Sequence, residues 1–423
     1  MSETEKQCLS GSKQPIAIIG AGIIGISIAC RLIRDHDQVL LIDPLAPGSA
    51  TSFGNAGHIA TEQIFPLASP ETMLSAPRLL FSNKSPLQIR MKYALNIVPW
   101  LLRFAWASRP AAFRDGIKAM KPLLQGSLES MQRLCEDEGL SDLLCQQGHM
   151  IVAESTESLR SLAAKRSLLK QHGIESRLLA PEETAAKSPF LKRTIAGSLF
   201  LPGTGHMLNP HHLCTGLHKR FSEAGGQTLL ASIKNIESYG NDGFILRHEA
   251  GEIMVDRLIL ATGAWSAPLA RQLGHIVPLD TERGYHVTAE GAPNLGGIAV
   301  ESHERRIIMT PMSCGLRITG FVEFGGLNLP PNPRLHEVLK LNLRELAPEL
   351  ELGKLSEWMG FRPSLPDMLP VIGESPANPK AIFAFGHHHL GLTLSAITAD
   401  IVSALVAGRM PSVDLQPFRP NRF

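Results

Sequence analysis

The chain has 423 residues, 44% of them hydrophobic, and a formal net charge of +2. It is long enough to bury a sizeable core, and its balanced charge argues against a nucleic-acid partner. Its six cysteines are scattered without a C-x-x-C pair, which predicts reduced thiols and a cytoplasmic setting. Residues 1–14 are polar and lack the apolar region of a secretory signal, so they are predicted to form a flexible tail.

The first predicted unit is a strand, a glycine turn and a helix. Apolar residues 15–19 lead into Gly20, Gly22 and Gly25 in the pattern G-x-G-x-x-G, and residues 26–32 continue as a helix. Glycines at this spacing let backbone N–H groups and a helix N-terminus approach a diphosphate. A second apolar strand ends at Asp43, placed to accept hydrogen bonds from a ribose 2′-hydroxyl. Its carboxylate disfavours the 2′-phosphate of NADP, so FAD and NAD both remain open.

A long loop rich in small residues follows, over residues 44–58. Its glycines allow the backbone to approach a ligand closely, while Ser52 and Asn55 offer side-chain hydrogen bonds to a pyrophosphate or a flavin edge. An ordinary surface loop is the alternative.

Residues 93–107 form an apolar stretch that contains two tryptophans and one arginine. The stretch is too short and too interrupted to span a bilayer. Two interpretations stay open: a helix packed on its own domain, and a helix that lies on a membrane surface.

The rest of the chain alternates between helical and strand-like patterns. Helices are predicted at residues 123–138, 157–172, 210–224, 334–345 and 394–407. Strands are predicted near Thr228 and at residues 257–261, 305–311, 316–324, 355–361 and 381–385. The strands after residue 300 favour a mainly antiparallel sheet, whereas the last strand, turn and helix return to the α/β style.

These elements predict an α/β fold, α+β overall. A Rossmann-like dinucleotide-binding domain is expected from residues 15–90, 195–275 and 360–423. The mainly antiparallel substrate domain, expected from residues 91–194 and 276–359, is interleaved with it.

Five segments in this order resemble the FAD-dependent D-amino-acid oxidase superfamily, and especially its D-amino-acid dehydrogenase branch. They are 20–25 with Asp43, 51–57, 261–266, 360–373 and 386–393. The resemblance implies FAD as the cofactor and a site spread along the whole chain. The cofactor-binding residues it implies are Gly20, Gly22, Ile24, Gly25, Asp43, Ser52, Asn55, Ala56, Gly57, His58, Thr262, Gly263, Gly386, His387, Leu390, Gly391, Leu392 and Thr393.

The resemblance also implies two substrate-binding residues. Arg362 matches the arginine of a Gly-Phe-Arg-Pro-like segment that holds the substrate carboxylate, a task for which a guanidinium fork is suited. A surface salt bridge is its alternative. Tyr285 resembles the tyrosine of an Arg-Gly-Tyr segment that shares the carboxylate, and its alternative is a core tyrosine with a satisfied hydroxyl.

The chain departs from the branch pattern at several histidines. His58 stands where glutamine is expected, and the C-terminal turn carries His388, His389 and Leu392 where the branch has Gly, Thr and Trp. His58 and His389 are therefore candidate catalytic residues, and a covalent tether from His58 to the flavin stays open. No metal site is predicted, because consecutive histidines in a turn point in different directions.

The predicted activity is FAD-dependent oxidation of a D-amino acid, with hydride transfer from the α-carbon to flavin N5 and an imino acid as product. The altered histidines favour a cyclic substrate such as D-proline or D-hydroxyproline. The alternatives are a flavin-binding subunit of a hetero-oligomeric amine or opine oxidase and an NAD-dependent dehydrogenase. The electron acceptor, whether a quinone, another carrier or O2, is open, as is peripheral contact with the inner face of the cell membrane.

Overall fold

The computed structural model describes residues 14–74, 87–192, 194–240, 242–292 and 295–423. The tail predicted at residues 1–14 lies outside the described residues except for its last position. The strands, in chain order, are β1 (Ile16–Ile19), β2 (Val39–Asp43), β3 (His58–Ile59), β4 (Leu87–Ile89), β5 (Leu144–Cys145), β6 (His149–Ala153), β7 (Arg177–Leu179), β8 (Gly197–Leu201), β9 (Gly205–Met207), β10 (Gln227–Leu230), β11 (Asn235–Ser238), β12 (Phe244–His248), β13 (Gly251–Val255), β14 (Arg257–Leu260), β15 (Asp280–Glu290), β16 (Ala299–Ser302), β17 (Ile307–Met312), β18 (Gly315–Phe324), β19 (Leu355–Ser364), β20 (Val371–Glu374) and β21 (Ala381–Phe385).

The α-helices are α1 (Ile23–Leu32), α2 (Val98–Ala107), α3 (Pro110–Asp137), α4 (Thr156–Gln171), α5 (Pro181–Lys187), α6 (Pro210–Glu223), α7 (Ser266–Gln272), α8 (Pro333–Leu346) and α9 (Ser395–Val406).

A six-stranded sheet in the order β10-β2-β1-β14-β21-β20 carries the glycine turn. Its pairs are parallel except β20 with β21. Side chains alternate across β1: Ile18 packs in the cluster with α1, α3, α6 and α9, while Ile19 packs on the other face with β12 and α7. Because both faces are covered, β1 and β21 are uninterrupted apolar runs. The predicted α/β fold class is confirmed.

A larger, mainly antiparallel sheet follows the path β19-β15-β18-β17-β16-β6-β8-β7, with β4 paired to β18. Helix α8 packs on it in an apolar cluster with β15, β17 and β18. β4 and β8 belong to this sheet, although residues 87–89 and 197–201 fall within the ranges predicted for the dinucleotide-binding domain. These two strands have only three and five residues. The alternation of apolar and polar residues in so short a strand does not indicate which sheet the strand joins.

Helix α3 begins at Pro110, well before the predicted start at residue 123, and carries Pro122 in its interior. Proline removes a backbone hydrogen bond there. The first half of α3 is held by packing instead, since Ile117, Met120 and Leu124 lie in one buried cluster with α9. Tertiary contacts thus override the local helix-breaking signal.

Glu154, just after β6, links that strand to the turn between β16 and β17 in the larger sheet. Its two carboxylate oxygens accept hydrogen bonds from Arg305 Nε (2.5 Å) and Nη2 (2.7 Å), and Lys192 Nζ lies 2.5 Å away. Burial alone would raise the pKa of Glu154, but the two cations outweigh it and lower the pKa to about 2.

We expect Glu154→Gln to lower the melting temperature at pH 7. Because the pKa of Glu154 is depressed in the folded protein, its stabilisation is present above the unfolded pKa of about 4.5 and is lost as the pH falls toward 2. The difference in melting temperature between wild type and variant should therefore shrink below about pH 4.5. Scanning calorimetry across this range, with exposed Glu175→Gln as control, measures it; a difference independent of pH would contradict the ion-pair explanation.

Candidate active site

The glycine turn forms a cradle that side chains would fill. A Cβ on Gly20, whose φ is +108°, would lie 2.4 Å from the Ala261 carbonyl oxygen, and one on Gly25 would lie 1.8 Å from the Gly20 oxygen. Gly22 has more room: its Cβ would meet Ser52 Oγ at 3.4 Å. Gly20 and Gly25 thus allow the strand and helix to approach each other, and Gly22 leaves the helix N-terminus open.

Asp43 ends β2 beside this cradle. Its Oδ2 accepts a hydrogen bond from Ala21 N–H (2.7 Å), and its Oδ1 accepts one from Leu45 N–H (2.8 Å). Burial raises the pKa of Asp43, and the two backbone donors oppose that rise. These bonds fix the carboxylate at the carboxyl end of the parallel sheet, where such folds bind a ribose.

The loop at residues 44–58 folds back over the N-terminus of α1. Ser52 Oγ accepts a hydrogen bond from Ile23 N–H at 2.9 Å, and Asn55 Oδ1 accepts one from Gly57 N–H at 2.8 Å. Arg317 Nη1 donates to the Asn55 carbonyl at 2.6 Å. Arg317 of the larger sheet therefore fixes the loop at residues 44–58, which follows β2 of the six-stranded sheet.

The C-terminal turn meets the same loop. Thr393 Oγ1 accepts a hydrogen bond from Ala60 N–H (3.0 Å) and donates one to the His58 carbonyl (3.3 Å). Gly386 has a φ of +79°, and a Cβ there would lie 2.5 Å from Leu365. Burial lowers the pKa of His387 to about 3 and that of His388 to about 4, so both are neutral near pH 7.

A continuous cavity of about 2220 Å³ joins these segments. The predicted residues that line it are Gly20, Gly22, Ile24, Asp43, Ser52, Asn55, Ala56, His58, Thr262, Gly263, Gly386, His387, Leu390, Gly391 and Leu392. The other predicted residues contact segments that line the cavity. A Cβ on Gly25 would meet the Gly20 carbonyl oxygen, Gly57 N–H donates to Asn55 Oδ1, and Thr393 Oγ1 accepts from Ala60 N–H.

Arg362, on β19, lines the same cavity. Its Nη1 donates to the Phe321 carbonyl at 2.9 Å, and its guanidinium lies over Gly284 of β15, where a Cβ would come within 2.3 Å of Nη2. Glu282, the register partner of Arg362, also lines the cavity. Burial lowers the pKa of Arg362, and the negative charge of Glu282 opposes that change. The positive charge of Arg362 is therefore only partly neutralised. We call the part of the cavity that Arg362 lines the chamber.

Tyr285 has the contacts of a core tyrosine. Its side chain is fully buried, and its hydroxyl donates to Glu323 Oε2 (2.7 Å) and accepts from Asn332 N–H (3.0 Å). Tyr285 also lines the cavity, next to Gly284, and the pairing of β15 with β18 is irregular between Arg283 and Tyr285. The contacts of Tyr285 therefore fit the alternative, a core tyrosine with a satisfied hydroxyl, better than they fit carboxylate binding.

The two candidate catalytic histidines bind consecutive residues of the segment after β3. His58 Nε2 lies 2.9 Å from Glu62 Oε1, and His389 Nε2 lies 2.7 Å from Gln63 Oε1. Burial opposes the charge on His58, but Glu62 outweighs it and raises the pKa of His58. His389 is different, because burial keeps its pKa well below the usual value.

Sequence reasoning missed Glu62, Glu282 and Arg317. For Glu282 a signal existed, since residues at alternate positions of a strand share a face and Glu282 is two residues from Gly284. Glu62 and Arg317 carried no such signal, because long-range folding brings them to the loop.

A glycine cradle, a strand-ending acid and a loop folded over the helix N-terminus together define a protein that binds an extended dinucleotide. The cradle fits FAD because a Cβ at Gly20 or Gly25 would close it. Residues 15–405 match the DAO family, described as FAD dependent oxidoreductase. The chain belongs to this family, which confirms the sequence resemblance, its enzyme class and FAD as its cofactor, in place of the NAD alternative.

Individual relatives are similar over nearly their whole length. The chain is 31% identical to a D-amino-acid oxidase of Bradyrhizobium diazoefficiens, covering 96% of this chain and 98% of the relative. It is 29% identical to a D-amino acid dehydrogenase of Cereibacter sphaeroides, covering 94% and 93%. Glycine oxidase from Geobacillus kaustophilus shares the fold, with a TM-score of 0.75 at 22% identity and coverage of 97% and 99%.

Among the described residues, no helix has both the length and the hydrophobicity needed to cross a bilayer.

Proposed function

We propose that this protein oxidises a small D-amino acid at its CH–NH bond. The observation that carries the proposal is Arg362, a cation that lines the cavity. The names of the relatives, D-amino-acid oxidase and D-amino acid dehydrogenase, support this substrate class. FAD, when bound, supplies the acceptor for the hydride that leaves the α-carbon.

The chain's own residues bind, orient and exclude water. The Arg362 fork binds the substrate carboxylate through two parallel hydrogen bonds and so fixes the α-carbon. Trp100, Phe104, Phe324 and Trp358 line the chamber and exclude water from it. Glu282 lies beside Arg362, and His58 and His389 line the cavity. Of the two histidines, His389 has the lowered pKa, so its neutral imidazole would take the ammonium proton.

We further propose that the substrate is cyclic, D-proline or a D-hydroxyproline. A ring presents a compact apolar surface to this aromatic wall. The histidines that replace the expected residues at positions 58 and 389 change the polarity of the site in the same region.

The test is anaerobic mixing of the purified yellow protein with D- and L-amino acids, including both enantiomers of proline and of 4-hydroxyproline. We expect rapid loss of the oxidised-flavin absorbance with the D-enantiomers, fastest with the cyclic ones. Faster bleaching by acyclic D-amino acids would reject the cyclic preference alone. A flavin that no amino acid reduces would reject the proposed function and favour a subunit of a hetero-oligomeric oxidase.

Gly284→Ala should raise KM about tenfold or more without loss of FAD. The new Cβ would lie 2.3 Å from Arg362 Nη2, the free end of a flexible side chain, so the fold survives while the guanidinium moves and loses part of its carboxylate bond. Gly203→Ala, whose Cβ meets nothing within 4 Å, is the matched control. An unchanged KM in Gly284→Ala would show that the position of Arg362 is not critical.

We infer that α2 and the turn before it dock on an anionic membrane surface, where a quinone accepts the electrons. Met91, Leu95, Val98, Leu102 and Trp106 recur at helical spacing and are all exposed, Met91 by 88% and Leu102 by 68%. Residues 90–114 contain five basic residues and no acidic one, which complements anionic lipid. On the inner face, Trp100 lines the cavity, so one helix separates the lipid surface from the flavin chamber.

Leu102→Asp should weaken binding to phosphatidylglycerol-containing vesicles about tenfold or more. The variant loses an apolar side chain that would insert into the lipid, and it gains a charge that anionic lipid repels. Leu341→Asp, at an exposed leucine of α8, is the matched control and should bind as wild type does. Flotation with these vesicles measures the difference. Equal flotation of the two variants, or no binding by wild type, would reject the membrane surface while leaving the amino-acid chemistry untouched.

A further inference from the structure

Three buried side chains from separate segments meet beside the flavin loop. His58 lies on β3, Glu62 follows four residues later, and His149 opens β6 in the larger sheet. Each offers one ligand atom, and these atoms all lie within 4.8 Å of one another. None of the three residues is more than 7% exposed, so solvent does not reach them freely.

Several polar atoms of this cluster have no hydrogen-bond partner. They are His58 Nδ1, Glu62 Oε2 and His149 Nδ1. Leaving a buried polar atom unsatisfied is costly, so three at one place imply a bound species that satisfies them.

We propose that His58, Glu62 and His149 bind a divalent transition-metal ion, with zinc as the best match. Two imidazoles and one carboxylate form a donor set typical of zinc sites that keep a fourth position open. His58 and Glu62 line the cavity, so that fourth position faces it. Zinc bonds of about 2.0–2.2 Å hold ligand atoms roughly 3.3 Å apart, and side-chain rotation closes the remaining gap.

Glu301 supplies a second feature of a metal site. Its Oε2 lies 3.5 Å from His149 Nε2, which leaves Nδ1 of His149 to coordinate the ion. A carboxylate behind a ligating histidine fixes its tautomer and increases its basicity. The His387 to His389 triplet, which the sequence singled out, contributes no ligand. The proposed site therefore departs from the prediction of no metal site, which was argued from that triplet alone.

The test uses the FAD-loaded enzyme purified without a polyhistidine tag. After dialysis against a chelator, titration with ZnCl2 is followed by calorimetry, and the zinc retained after gel filtration is measured by mass spectrometry. We expect one zinc per chain in wild type and in His248→Ala, a histidine of β12 outside the cluster. Glu62→Gln and His149→Gln should bind zinc at least about tenfold more weakly.

The flavin absorbance and melting temperature of each variant show whether it is folded, and His149→Asn replaces His149→Gln if the latter is not. Equal zinc binding by wild type and the folded cluster variants would overturn the proposal. Absence of zinc binding by wild type would also overturn the proposal. In that case, a shifted pH dependence of flavin reduction in the cluster variants would identify the cluster as a proton relay linked through water. Zinc titration and zinc retention require no turnover, so the metal result is independent of the proposed substrate.

Discussion

Replacing Arg362 with alanine should reduce kcat/KM by about 10²- to 10⁴-fold while the protein keeps its FAD. The carboxylate of the substrate would enter the chamber without a cationic partner, and loss of one member of a desolvated ion pair costs about 3–5 kcal/mol. FAD is retained because Arg362 is not among the contacts that form the cradle at Gly20 to Gly25. Steady-state kinetics and the flavin content per chain are the two measurements.

Arg362→Lys separates charge from geometry. A lysine keeps the positive charge but offers no planar fork, so we expect it to recover part of the lost activity. Arg344→Ala, at an exposed arginine in the last turn of α8, is the control for removing a cation. Kinetics like those of wild type in Arg362→Ala would mean that another group binds the carboxylate, and Glu282 would then lose its assigned partner.

Gly25→Ala should yield chain that is insoluble or free of FAD. The added Cβ would lie 1.8 Å from the Gly20 carbonyl oxygen, which is backbone and cannot rotate away as a side chain would. Helix α1 would have to move off β1, at a cost of more than about 3 kcal/mol. Soluble yield, circular dichroism and bound flavin measure the effect.

Gly22→Ala is the informative comparison, because its Cβ would meet only Ser52 Oγ, at 3.4 Å. We expect that variant to fold and to bind FAD more weakly, since the methyl group points toward the approaching diphosphate. If Gly25→Ala folded and bound FAD as wild type does, the close contact between strand and helix would not be the reason for that glycine.

The residues of the cradle could be predicted from the sequence because their chemistry is local. Gly20, Gly22 and Gly25 sit within one turn, and Asp43 follows at the spacing that a βαβ unit imposes. Arg362 could be found only through the resemblance, since nothing adjacent in sequence marks it. Its neighbour Gly284 belongs to another strand, and the distance between them depends on the register of β15 and β19.

The cluster of His58, Glu62 and His149 shows what sequence patterns omit. His58 and Glu62 are four residues apart and have a helical spacing, yet His58 lies on a strand. His149 joins them from a different sheet, and no period or motif connects residue 149 with residue 58. Tyr285 shows a different limit: the motif predicts a residue at the cavity, which Tyr285 lines, but it does not reveal that the hydroxyl bonds to Glu323.

The order of strands in the six-stranded sheet has a consequence for protein synthesis. β21, at Ala381–Phe385, lies between β14 and β20 and carries the turn that closes the flavin loop. A ribosome must therefore have extended the chain past β21 before the cofactor has a complete binding site. FAD capture in the cell then reports on chains that include β21, and fragments that end before β21 are left with an exposed edge at β14 for quality control to recognise.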